Sequence, residues 1–188
     1  MMFLSGVFRF LFHQYQAIGS KLRVAKINML YTGANIDFKT TIARNCSIVC
    51  VKGGTLTISN CSIKAGTHIF ADTESTLTIK DSFIGRNCVI VAKKMIAIKA
   101  GCMIAEMVVI RDHDHFINNK EQQDQQNEFI TGSICIEENV WLASKVTILK
   151  GASVGRSAVI AASAVANITV PSQELWGGIP AKFIKKLV

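Results

Sequence analysis

The chain is poor in proline, aromatic residues and charge. Its 188 residues include two prolines, 7% aromatics and 18% charged side chains. So little proline excludes polyproline and collagen-like classes. Low charge beside 49% hydrophobic residues excludes a disordered tail or charge-driven linker. The six cysteines (Cys46, Cys50, Cys61, Cys88, Cys102 and Cys135) contain no C-x-x-C pair and do not resemble a short secreted disulfide framework. Scattered among small apolar residues, they read as reduced, internal thiols, which favours a cytosolic address. The apolar N-terminal run is broken by Arg9 and His13 and is too short to span a bilayer. No small-residue cleavage pattern follows it, which argues against a secretory signal.

Acid is also missing from one end. The first 36 residues hold Arg9, Lys21, Arg23 and Lys26 but no Asp or Glu. Residues 1–110 carry 13 basic and 5 acidic side chains, and residues 111–188 carry 8 of each, so the net charge of +8 belongs to the first part. Phe3, Leu4, Val7, Phe8, Leu11 and Phe12 lie close to helical spacing. The stretch 1–30 is therefore predicted as an amphipathic helix. It either caps an open end of the domain or lies on an anionic membrane surface through residues 1–26. Basic residues interleaved with stacking aromatics on one face are lacking, so nucleic acid is not an expected partner.

What the chain does have is a repeat. Similar segments start at Ile42, Ile63, Ile84 and Ile104, spaced 21, 21 and 20 residues apart. Later the period tightens to six, through Ile136, Leu142, Ile148, Val154 and Ile160. Four positions after each come Val140, Val146, Ala152, Ala158 and Ala164. A period of six cannot keep to one face of a 3.6-residue helix. It suits short strands joined by tight turns, each strand pointing one bulky and one small side chain inward. Three such strands form a coil of about eighteen residues, and stacked coils bury a continuous aliphatic ladder in parallel sheets.

The period stops at Ile110 and resumes near Ile134. The polar, glutamine-rich segment between them cannot supply core residues and is expected to loop away from the solenoid; a loop of this length is commonly functional. Its head carries Asp112, His113, Asp114 and His115. Three chemistries fit that cluster: an H-x-H metal site, a solvated loop, or a histidine general base.

Four runs decide between them by resemblance. C-M-I-A-E-M-V-V-I-R-D-H-D-H (102–115) is similar to the segment that enters the same loop in maltose and galactoside acetyltransferases. E-E-N-V-W-L-A-S-K-V-T-I-L-K-G-A-S-V-G (137–155), I-A-A-S-A-V (160–165) and G-G-I-P-A-K-F-I-K-K (177–186) are similar to that family's carboxyl-terminal coils and tail. Over residues 36–188 the chain thus resembles the hexapeptide-repeat acyltransferases. The resemblance implies an all-β, left-handed parallel β-helix over 31–170, with a short N-terminal helix (1–30), a protruding loop (111–133) and a tail (171–188).

The same resemblance implies the chemistry. His115 falls on the family's catalytic histidine, and Glu128 on the glutamate that orients it. Asp112, Asp114 and Trp141 fall beside the acceptor. Acetyl-CoA, the expected co-substrate, would lie along Trp141, Ala143, Ser144, Ala161 and Ala162, with Lys182, Lys185 and Lys186 meeting its phosphates. No metal is expected. Lys145, Lys150 and Arg156 read as solvated turn residues. Gly101 stands where the sugar acetyltransferases often carry Asn. The overall form is more similar to O-acetyltransferases that decorate surface polysaccharides. The implied function is O-acetylation of a carbohydrate hydroxyl by a homotrimer with active sites between subunits. The implied location is cytoplasmic, with peripheral contact at the inner membrane face as an option. N-acetylation of an amino-sugar nucleotide and a non-catalytic solenoid scaffold are the alternatives.

Overall fold

The computed structural model describes residues 2–116 and 129–187, with side chains from residue 14 onward. One helix, Met2–Leu30, precedes a parallel β-solenoid of about six turns. Its strands stack into three sheets of seven, eight and six strands, which form three faces of the coil.

The aliphatic ladder of the sequence is the core. On the first face Ile36, Ile58, Ile79, Ile98, Ile136, Val154 and Val170 lie in register. On the second, Ile42, Ile63, Ile84, Ile104, Leu142 and Ile160 do so, ending at Trp176. On the third, Ile48, Ile69, Ile90, Ile110, Ile148 and Ala166 complete the set. All these aliphatic residues are buried, as are the five small residues of the six-residue ladder. Cys61, Cys88 and Cys102 fill equivalent small inner positions, and the thiol of Cys61 is pushed up to about 11 chiefly by burial. All six cysteines are unpaired in disulfides, with Cys46 and Cys135 only half-buried.

Turning between faces demands left-handed backbone. Asn45, Asn60, Asp81, Asn87 and Asn139 adopt positive φ at the corners, as Asn and Asp tolerate better than most residues. Gly101 (φ 76°) is one of these corner residues, and a Cβ there would meet Asn139 Oδ1 of the next coil. Its lack of a side chain thus follows from corner packing.

The first coil would present unpaired strand edges, and the helix satisfies them with side chains. The Asn28 amide donates to Ile36 O at 2.8 Å and accepts from Ile36 N at 2.9 Å. One strand further, Ser20 Oγ accepts from Ile42 N, and Arg23 Nε donates to Ile42 O. Val24 is fully buried against the coil. At the far end the ribbon Lys182–Lys186 runs antiparallel to Glu174–Gly177 and closes the second face. Among the described residues no helix is long and apolar enough to cross a membrane.

The edge bonds make a measurable contribution. Asn28→Ala strips two partners from Ile36 and is expected to cost about 1–3 kcal/mol in urea unfolding. Met29→Ala, on the neighbouring exposed position, should stay within about 0.5 kcal/mol.

Candidate active site

The insertion leaves the solenoid at the corner between the third and first faces. Ile98 still pairs with Ile136, and Ile110 with Ile148, so the register of the coils passes through it unbroken. The described base of the insertion is an antiparallel ribbon, His113–His115 against Phe129–Thr131. At the root of this segment Asp112 and His113 are buried.

Asp112 is fully buried. Its Oδ1 accepts from the amide of Lys93, and its Oδ2 from the amides of Lys94 and Met95, each at 2.8 Å. The carboxylate thus replaces a missing strand partner at the corner of the coil below. The same Oδ1 lies 3.1 Å from Nδ1 of His113, which is itself buried. Asp114 and His115, the next two residues of the ribbon, are exposed. Asp114 is half-exposed and ion-paired at 2.5 Å with Lys150, which is therefore engaged and not merely a solvated turn residue.

Phe129 joins these groups. Its ring lies 4.7 Å from His115, 5.4 Å from His113 in an edge-on contact, and 3.8 Å from Lys93 Nζ. Lys93 also binds Asp72. Burial alone would raise the Asp72 carboxyl, but the hydrogen bonds from Lys93 and the Thr73 amide, with the charges of Lys93 and His113, hold it below its ordinary value. Lys93 and Phe129 were not anticipated. An aromatic in a polar loop, one of two with Phe116, was the available signal for Phe129; nothing marked Lys93. Glu128 lies outside the described residues. Among the described residues no three His, Cys, Asp or Glu side chains converge as a metal site.

The residues expected along acetyl-CoA lie elsewhere on the prism. Trp141 faces outward on the second face, next to Met103 and Val159. Ala143, Ser144, Ala161 and Ala162 occupy the corner between the second and third faces in successive coils. Lys182 and Lys185 are exposed on the terminal ribbon of the second face. Ser144 Oγ donates to Glu106 at 2.5 Å, and that hydrogen bond holds the exposed Glu106 carboxyl below its ordinary value. One chain therefore brings His115 together with Asp112, His113 and Asp114, while Trp141 and the small-residue corner lie across the width of a face.

A prism of parallel coils with an interrupted six-residue period is a hexapeptide-repeat β-helix. No family model matches the chain. It is 31% identical over 91 residues to WbbJ of Escherichia coli K12, whose name assigns it to lipopolysaccharide biosynthesis as an O-acetyl transferase; the match covers 45% of this chain and 46% of that one. The polySia-specific acetyltransferase NeuO superposes with a TM-score of 0.70 at 28% identity, over 82% of this chain and 66% of its own. A hexapeptide-repeat acetyltransferase of Vibrio cholerae, complexed with acetyl coenzyme A, shares the fold with a TM-score of 0.52 at 24% identity, over 93% and 86% of the two chains. The chain is thus similar in sequence and fold to hexapeptide-repeat β-helix acetyltransferases. Its match spans about half the length of the first curated relative.

The two aspartates of the cluster separate cleanly by stability. Asp112→Ala leaves three backbone amides without their acceptor and should cost about 3 kcal/mol or more in equilibrium unfolding. Asp114→Ala removes an exposed ion pair and should change stability by less than about 1 kcal/mol.

Proposed function

We propose that this protein is an acetyl-CoA-dependent O-acetyltransferase acting on a carbohydrate hydroxyl of a surface polysaccharide or its precursor. The observation that carries this reading is His115, exposed on a ribbon anchored at the insertion by the buried Asp112. The names of WbbJ and NeuO support the acceptor class, and the acetyl coenzyme A held by the Vibrio cholerae relative supports the donor.

In this mechanism the His115 imidazole takes the proton of the acceptor hydroxyl as its oxygen attacks the thioester carbonyl carbon. The tetrahedral adduct collapses by breaking the carbon–sulfur bond, and the CoA thiolate takes up the proton from the imidazolium. Glu128 orients the histidine and supports its positive charge. Asp112 acts through the backbone and His113, as a positioning residue, while Asp114 and Trp141 border the acceptor. The small side chains of Ala143, Ser144, Ala161 and Ala162 let the pantetheine arm approach the backbone. Lys182 and Lys185 offer exposed ammonium groups to the phosphates.

The donor path and His115 lie on different parts of one prism, so a working site requires two copies. Closure of three copies about an axis supplies this contact three times. An exposed apolar column of Phe83, Met103 and Trp141 on the second face supports such an interface.

Free CoA release against a panel of bacterial surface glycans tests the activity. His115→Ala should lower kcat by about 10² to 10⁴, with the KM for acetyl-CoA nearly unchanged. Glu128→Gln should lie between this variant and the parent. Release with amino-sugar nucleotides alone would favour N-acetylation, and no thermal stabilisation by CoA would favour a scaffold. Light scattering should give three times the 20.5 kDa chain mass; a monomer at micromolar concentration would remove the shared site.

A further inference from the structure

Among the described side chains, residues 14–30 of the helix use one face to close the solenoid and leave large apolar groups exposed on the other. Ser20, Val24 and Ile27 pack on the first coil, joined by the hydrogen bonds of Arg23 and Asn28. On the opposite side Tyr15, Ile18, Leu22 and Met29 are 61%, 59%, 66% and 81% exposed. Their alternating three- and four-residue spacing is filled by Ala25, and it continues in the sequence through Leu4, Phe8 and Leu11. From Tyr15 to Met29 the stripe is about 21 Å long. A continuous apolar stripe with four large side chains exposed on one helix face marks a docking face.

Charge decides what docks there. Lys21 and Lys26 flank the stripe, and the guanidinium of Arg44 sits 5.2 Å above the Tyr15 ring. No acidic residue occurs in positions 1–36. If a second copy of the helix packed in parallel along this seam, Lys21 of one would face Lys26 of the other, with no carboxylate to relieve the repulsion. An anionic lipid surface satisfies both features. It takes the apolar stripe below its headgroups and pairs the flanking cations with phosphate. We propose that the outward face of this helix, centred on Ile18, Leu22 and Met29, binds anionic membrane and lays the first coil of the solenoid against it. The inference is independent of the acetyltransferase reading.

The test is sedimentation of the full chain with vesicles of phosphatidylcholine alone and of equimolar phosphatidylcholine and phosphatidylglycerol. Binding to the anionic vesicles, weak binding to the neutral ones and weakening by salt are expected. Lys21→Gln and Lys26→Gln should each reduce affinity about fivefold. The Leu22→Gln, Met29→Gln double variant should lose binding while its thermal unfolding and light-scattering mass stay those of the parent. Those side chains are exposed, so a folding failure is distinguished by the melting curve. Absence of binding to either vesicle, or equal binding to both, overturns the proposal. A fall in mass of the double variant also overturns it, because the seam would then hold a second copy.

Discussion

Every other feature of this molecule depends on one packing constraint: each coil must place its bulky aliphatic side chains directly above those of the coil below. Parallel strands pair at a fixed spacing, so a coil that placed a polar group at Ile58 or Ile84 would break the column above and below it. The column tolerates change only at its corners, where side chains leave the core and the backbone turns through left-handed conformations at Asn, Asp and Gly. That is where the chain departs from regularity. The insertion leaves from one corner and returns to it, so Ile98 meets Ile136 as if nothing lay between them.

This arrangement gives a rigid support to a segment with no core of its own. The buried carboxylate of Asp112 takes the place of the strand amide-acceptors that the break removes. A carboxylate suits this role because it accepts several hydrogen bonds at once and gains strength from its charge in a buried setting. Its contact with His113 then fixes the start of the ribbon, on which His115, two residues further on, is exposed. The exposed histidine is thus coupled to the solenoid through one buried acid and one buried imidazole.

The solenoid was legible because its determinant is repetitive. Bulky aliphatic residues recurring first at 20–21 and then at six residues, read from Ile42 to Ile160, identify strands and their inward faces. The cysteines were legible for the same reason, since Cys61, Cys88 and Cys102 occupy positions that other coils fill with Val or Ala. The difference between Asp112 and Asp114 was not. Both flank a histidine in the sequence. Their fates separate through distant partners: Asp112 meets the amides of Lys93, Lys94 and Met95, while Asp114 lies within the ribbon and pairs with Lys150. The partners of Lys93 likewise come from three different coils or ribbons. Asn28 is equally silent in sequence, as a polar residue within a helix whose role depends on meeting the edge of Ile36.

The two ends of the solenoid are closed by unlike means. At the start, side-chain amide, hydroxyl and guanidinium groups occupy backbone positions that another strand would otherwise use. At the finish, a strand of reversed direction lies where a further parallel coil would add on the second face. A stack of parallel coils has no inherent length, and an open end is a template for the next molecule. With these two stops the repeat yields a particle of defined height instead of a filament, and the polymerisation latent in its geometry is checked by a few side chains at one pole and a change of polarity at the other.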